Sequence, residues 1–226
     1  MTMKSRYNKN VLSMVSQIDN LLINLDDLHL LYFYKKSKLN ISDGNQIISW
    51  SSHEPGRENS GKSFTTLAQY QHIIETSAFH CILYDGSILR TSLVYDGPNL
   101  VKHSHLWWPA PYSDYNILDS EFTPELKFEE FITDPSWINQ LRMRSPIRID
   151  FDSKIESFEH PLVHMHTQHH DTRINLEKPI CFARFVDFIF NNYYPNIILN
   201  LDDVSFQSFK YAKPQYKNYK FSSLVL

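Results

Sequence analysis

Glycine is scarce in this chain. Its 226 residues contain five, and none follows Gly97. Gly-rich phosphate loops, Gly-hinged lids and the dinucleotide fingerprint are therefore excluded from the C-terminal half. The two cysteines, Cys81 and Cys181, are too few for a disulfide framework or a four-thiolate zinc site. They suit a reducing, cytoplasmic compartment. No apolar run approaches the roughly 18 residues of a membrane span, and MTMKSRYNKN lacks the apolar stretch of a signal peptide. No membrane partner is expected. A net charge of −3 gives no bulk pull toward nucleic acid or a membrane surface.

What is present reads as one domain over 1–226. It has a helical and strand region (1–78), a β-meander with a His/Arg core (79–195), and a strand with a basic-aromatic tail (196–226). Val11, Val15, Ile18, Leu22 and Leu25 recur at helical spacing over 10–25, with Asn8 or Asn10 as N-cap. LHLLYFY (28–34) and IISW (47–50) are strand-like, with an SDGN turn between them; 51–63 is loop-like and 64–77 helical. Asp85-Gly86 and Asp96-Gly97-Pro98 separate β-rich runs, which predicts a three-stranded antiparallel meander over 79–107. Residues 114–159 hold 11 acids against 5 bases and resume strand character at 146–152. A further strand is predicted at 161–167. Phe182, Phe185, Val186, Ile189, Phe190 and Tyr193 form one apolar helical stripe after Pro179. A β-run is expected at 197–207. Strand and helix runs are segregated, so the predicted class is α+β: a mostly antiparallel sheet packed with N-terminal and C-terminal helices.

Chemistry concentrates in one segment. Five of the 11 histidines fall within 160–170. His164 and His166 are two apart and share a face if the run is a strand. Arg148, Asp150 and Asp152 carry the same period just upstream, and an antiparallel pairing would set Asp150 or Asp152 beside the His pair; the register is open. Arg173 follows closely. Two imidazoles with a carboxylate can hold a divalent metal with an open position. Without a metal, one His serves as base and the other as acid while Arg173 clamps an oxyanion. The plain alternative is a hydrogen-bonded structural cluster. The histidine-triad and two-His-Thr phosphoesterase patterns both fail here. His103 and His105, a second same-face pair, would add ligands if the meander folds beside the first site.

Gly56-Arg-Glu-Asn-Ser-Gly61-Lys62-Ser63 fits a phosphate-binding loop, with Lys62 and Ser63 as the nucleotide and magnesium contacts. Its context is poor: no strand runs directly into Gly56, and Asp-Gly hairpins follow in place of βα units. Asp202 and Asp203 suit its metal-binding partner better than Asp85, which sits in a turn. In the tail, Lys210, Lys213, Lys217 and Lys220 alternate with aromatics and no acid intervenes. That composition suits single-stranded nucleic acid, but docking onto the acidic 114–159 region is favoured.

CILYDGSILRTSL, HLWWPAP, RIDFD, HPLVHMHT and KPICFARFVDFIFNNYYP occur in an order that resembles a bacterial family of uncharacterised proteins, domain of unknown function 2290. The resemblance covers roughly 79–195 and is most specific over 146–195. Its matching polar positions are Asp85, His105, Arg148, Asp150, His160, His164, His166 and Arg173. This chain departs from the pattern at Thr167-Gln168-His169-His170, where a Gly is expected, and at Asn175, where a Pro is expected. By association, the resemblance implies a mobile-element or defence setting, with a nucleic acid, a nucleotide or a neighbour-encoded protein as partner. The leading expectation is a His- or metal-dependent phosphodiesterase or nuclease with Arg148, Asp150, His164, His166 and Arg173 catalytic. Asp150, His164, His166 and His105 are its candidate metal ligands. A non-catalytic interaction module is the second expectation, and a nucleotide binder at Gly56–Ser63 the third.

Overall fold

The computed structural model describes residues 7–53, 66–112, 141–168, 171–199, 209–213 and a few isolated positions among 133–139, 201 and 220–226. The phosphate-loop match with Lys62 and Ser63, most of the acidic segment, and Asp202 and Asp203 lie outside them.

Helix α1 (Lys9–Asp27) starts where the Asn8 side chain accepts from the Asn10 N–H. It buries Val11, Met14, Ile18, Leu21, Leu22 and Leu25 on one face. It ends in a Schellman arrangement: Leu30 N–H donates to Leu25 O and His29 N–H to Asp26 O, with His29 left-handed at φ 55°. Strands β1 (Leu31–Tyr34), β2 (Lys38–Ser42) and β3 (Asn45–Ser49) follow. Asp43 and Gly44, at φ 51° and 79°, make the two-residue turn between β2 and β3. The SDGN turn is therefore present, but it joins β3 to β2, a five-residue strand where Leu39 and Ile41 alternate with Lys38, Asn40 and Ser42. Helix α2 (Leu67–Glu75) opens with a capping box between Thr66 and Gln69. It closes like α1, with Ser77 left-handed at φ 51° and Ala78 N–H donating to Ile73 O.

The expected meander is β4 (Cys81–Leu83), β5 (Ile88–Asp96) and β6 (Asn99–Trp108). Then come β7 (Ile147–Asp152), β8 (Val163–Thr167), β9 (Ile174–Leu176), α3 (Phe182–Tyr193) and β10 (Ser223–Leu224). Among the described residues the ten strands form one sheet in the order β1-β4-β5-β6-β7-β8-β9-β10, with the β2–β3 hairpin joined to β5 through β3. Its pairings are antiparallel except β9 with β10. The protein is α+β. The β-run expected at 197–207 is not a strand at 197–199 or 201, the positions described there. Pro195 and Asn196 turn the chain after α3 instead. No described helix is long and apolar enough to cross a membrane.

Two faces of the sheet do different work. One carries Leu89, Leu93, Trp107, Ile147, Ile149, Phe151, Val163 and Met165, which pack with α1 and the aromatic stripe of α3. Each large apolar side chain buried there contributes roughly 1.5–3 kcal/mol. On the other face, α2 packs over Ile82, Ile88, Leu106 and Trp108. That apolar cover gives way to polar side chains along β6, β7 and β8.

Candidate functional site

Strand pairing builds the site. In β7 the side chains alternate, so Ile147, Ile149 and Phe151 face the helices while Arg148, Asp150 and Asp152 face away. In the β7–β8 register, Asp150 lies opposite His164 and Arg148 opposite His166. The β8–β9 register adds Asn175 beside His164. From β6, Ser104 stands opposite Asp150. The His pair and the R-x-D period therefore meet on one face, and of the two acids it is Asp150 that joins them. Asp152 pairs with Lys102 at 3.5 Å instead.

Asp150 Oδ2 is 2.7 Å from Arg148 Nε and 3.3 Å from His166 Nε2. His164 Nδ1 donates to the Pro161 carbonyl at 2.9 Å, which fixes its tautomer and leaves Nε2 as a lone-pair donor. The imidazoles of His160, His164 and His166 follow one another edge to face, with ring centroids 4.6 and 4.7 Å apart. Asp150, His164 and His166 each offer a ligand atom, and these atoms lie within 4.8 Å of one another. His166 Nδ1 is buried with no hydrogen-bond partner, and so is Arg173 Nε. Arg173 is 3.9 Å from the Asp171 carboxylate, and its charge acts on His160.

The electrostatics suit a ligand set. Burial by itself raises the Asp150 carboxyl, but the His166 hydrogen bond and the Arg148 charge outweigh it and hold the group well below the usual carboxylate range. Burial, followed by repulsion from His166 and His160, pushes His164 down to about 3 against the pull of Asp150. A neutral imidazole with a free Nε2 is the form that binds metal, and a base that weak is a poor proton acceptor near neutrality. Burial also lowers His160, helped by Arg173.

His105 does not join this group. It lies on the helix-facing side of β6, opposite Thr91 and Ile149. Its Nε2 donates to the Ile180 carbonyl at 2.8 Å and its Nδ1 accepts from the Thr91 hydroxyl at 2.7 Å. Both nitrogens are thus used in the core. His103 stacks on it, ring centroids 4.4 Å apart, and is fully buried. The meander does fold beside the site, but with these two histidines on the wrong face, because β6 pairs β7 in the register that sets His105 against Ile149. Asp85 is a fold determinant: it accepts from Ser87 N–H and hydroxyl and from Tyr194, with Arg144 3.6 Å away.

Sequence reasoning missed Arg90, Ser92, Ser104 and Asn175, which share the polar face. Arg90 is buried, 4.7 Å from the Trp50 ring, and near enough to Arg148 and Asp150 to feel both charges. The Arg90–Ser92 period inside an otherwise apolar run was the available signal. In the tail, Lys210 O accepts from Leu100 N–H, Tyr211 meets Phe151 edge to face, and Lys220 pairs with Glu159 at 2.9 Å. The described part of the tail is docked, partly onto the acidic segment.

A family of uncharacterized conserved proteins, DUF2290, matches residues 30–223, and the chain belongs to it. No curated protein and no solved structure matches the chain.

Proposed function

We propose that this chain is a metal-assisted hydrolase of phosphate esters, with a nucleotide or nucleic acid as substrate. The observation that carries the reading is the convergence of Asp150, His164 and His166, their ligand atoms within 4.8 Å, on a face that also holds Arg148, with the Arg173 charge acting on the neighbouring His160. Two imidazoles and one carboxylate suit zinc, manganese or iron better than magnesium or calcium, and three protein ligands leave positions for water and substrate. The His164 bond to Pro161 O is the outer-shell contact that orients a ligating imidazole. When bound, the metal supplies Lewis acidity and an acidic water. Arg148 holds the Asp150 carboxylate, and Arg173, whose charge reaches His160, neutralises phosphate charge. A nuclease-like effector of a mobile-element or defence system is one setting for such chemistry.

The test is metal content and turnover together. Purified protein incubated with zinc or manganese and desalted should retain about one equivalent per chain. It should cleave bis-p-nitrophenyl phosphate or an oligonucleotide. Asp150→Ala, His164→Ala and His166→Ala should each lose metal and at least about a hundredfold in rate, with unchanged circular dichroism. Full activity in chelator would replace the metal reading with metal-free acid–base chemistry. Unchanged activity in the His164→Ala/His166→Ala double variant would remove the site altogether.

A further inference from the structure

His166 differs from its neighbour in one respect. The His164 ring has its outer nitrogen satisfied, Nδ1 donating to Pro161 O at 2.9 Å. His166 is 7% exposed, and among the described residues its Nδ1 has no hydrogen-bond partner. Its Nε2 is engaged, 3.3 Å from Asp150 Oδ2, in the hydrogen bond that helps keep that carboxyl ionised. A metal-ligating histidine almost always donates its other ring N–H to a carboxylate, a backbone carbonyl or water. For His166 no described residue supplies such an acceptor.

A second buried donor stands beside it. The β8–β9 register pairs His164 with Asn175 and Met165 with Ile174, so the next position sets Arg173 opposite His166. Ile174 and Leu176 pack into the helix-side core, which turns Asn175 and Arg173 to the face of the histidines. Residues directly opposite in an antiparallel pair have Cβ atoms about 4.5–5.5 Å apart. Arg173 Nη1 donates to the Asp171 carbonyl at 3.3 Å and lies 3.9 Å from its carboxylate. Its Nε is buried and, among the described residues, has no hydrogen-bond partner. On the other side His166 faces Arg148, which is committed to Asp150 at 2.7 Å.

Resting on the metal-assisted phosphate-ester reading, we infer that His166 Nδ1 and Arg173 Nε form an oxyanion subsite for a non-bridging phosphate oxygen of the substrate, completed only when metal is bound. A neutral imidazole carries one proton. While Nε2 donates to Asp150, that proton is on Nε2, and Nδ1 presents a lone pair that repels an anion. Nε2, the nitrogen beside Asp150, is the one a metal shared with that carboxylate takes. The proton is then carried on Nδ1 and the ring stays neutral. Two adjacent N–H donors result, one of them on a permanent cation. They select an acceptor-only anion over a hydroxyl or an ammonium group. Metal and anion are thereby coupled, each strengthening the other by the same factor. The phosphate is gripped by the chain outside the metal's own coordination sphere.

Sulfate, a tetrahedral acceptor-only dianion, is the probe. Its binding to the full chain near neutral pH is measured by calorimetry, metal-free and after loading with zinc. Sulfate should bind the zinc-loaded protein at least about tenfold tighter, and zinc should bind tighter by the same factor in saturating sulfate. Arg173→Lys keeps the charge and loses the Nε–H. It should retain zinc in sulfate-free buffer and lose most of the coupling. With cobalt in place of zinc, the visible absorption bands should hold their positions when sulfate is added. Zinc retained with equal sulfate affinity in both forms overturns the subsite and leaves the metal site standing; the two donors then serve a buried water. Undiminished coupling in Arg173→Lys, or cobalt bands that shift, puts sulfate on the metal itself and overturns the subsite too. A chain that retains neither zinc nor cobalt removes the metal reading, and this inference with it.

Discussion

Tyr194 donates to Asp85 Oδ2 at 3.1 Å, joining the end of the last helix to a hairpin 109 residues earlier. The same carboxylate accepts from the Ser87 N–H and hydroxyl, and Ser87 Oγ in turn accepts from Ala110 N–H. Trp107 Nε1 donates to Tyr194 at 3.3 Å. The Asp-Gly turn is thus a junction between β4–β5, the chain after β6, and α3.

Removing the tyrosine hydroxyl with Tyr194→Phe should cost about 1 kcal/mol, and Asp85→Ala about 2–3 kcal/mol because several donors lose their acceptor. At this size, each kcal/mol lowers Tm by roughly 2–4 °C. The double variant should be less destabilised than the sum, by at least about 0.5 kcal/mol. Additive losses in urea melts would show that the two residues are not coupled.

Acid should weaken the fold well above the carboxylate range. Burial, with Arg90 and His105 adding to it, pushes His80 down to about 3, and burial pushes His105 down to about 4 despite its bond to Ile180 O. Unfolded, both return to about 6.5 and bind protons that the native state refuses. Stability from this source is therefore complete above about pH 6.5 and declines as pH falls toward 4. The limit is about 1.4 kcal/mol per pH unit for each histidine. His105→Gln, which can still reach both partners, should flatten the decline. Identical urea midpoints at pH 7.5 and 5 would sink this account.

The two Schellman ends put side chains where glycine is easier. Ser77 sits at φ 51°, and its carbonyl already serves Ser52 without help from its own side chain. Ser77→Gly should raise stability by about 0.5–1 kcal/mol, the relief of left-handed strain less the extra freedom of the unfolded chain. A lower melting temperature in that variant would mean the serine hydroxyl holds something worth more than the strain.

Local signals carried much of the fold. Asp-Gly dipeptides placed the hairpins, and apolar periodicity placed α1 and α3. The three-residue β9 lacked such a signal, and β2 offers only a five-residue Leu39–Ile41 alternation with no buried position. The candidate site was legible where strands are neighbours in sequence: the short loop from Asp152 to Pro161 forces β7 and β8 together. It was not legible for His105, because the β6–β7 pairing closes over about forty residues and its parity is set by tertiary packing. Arg90 was missed for the same reason, since β5 reaches the site only through β6.

Strand β7 is written in two interleaved frames. Its odd-numbered residues, Ile147, Ile149 and Phe151, belong to a dry partition shared with α1 and α3. Its even-numbered residues, Arg148 and Asp150, belong to the polar face that carries His164 and His166. The two frames meet different neighbours, the helices on one side and the histidines of β8 on the other. A single inserted residue would exchange the frames, placing the carboxylate in hydrocarbon and the isoleucines against the histidines. The length of this strand is therefore constrained together with the identity of its residues.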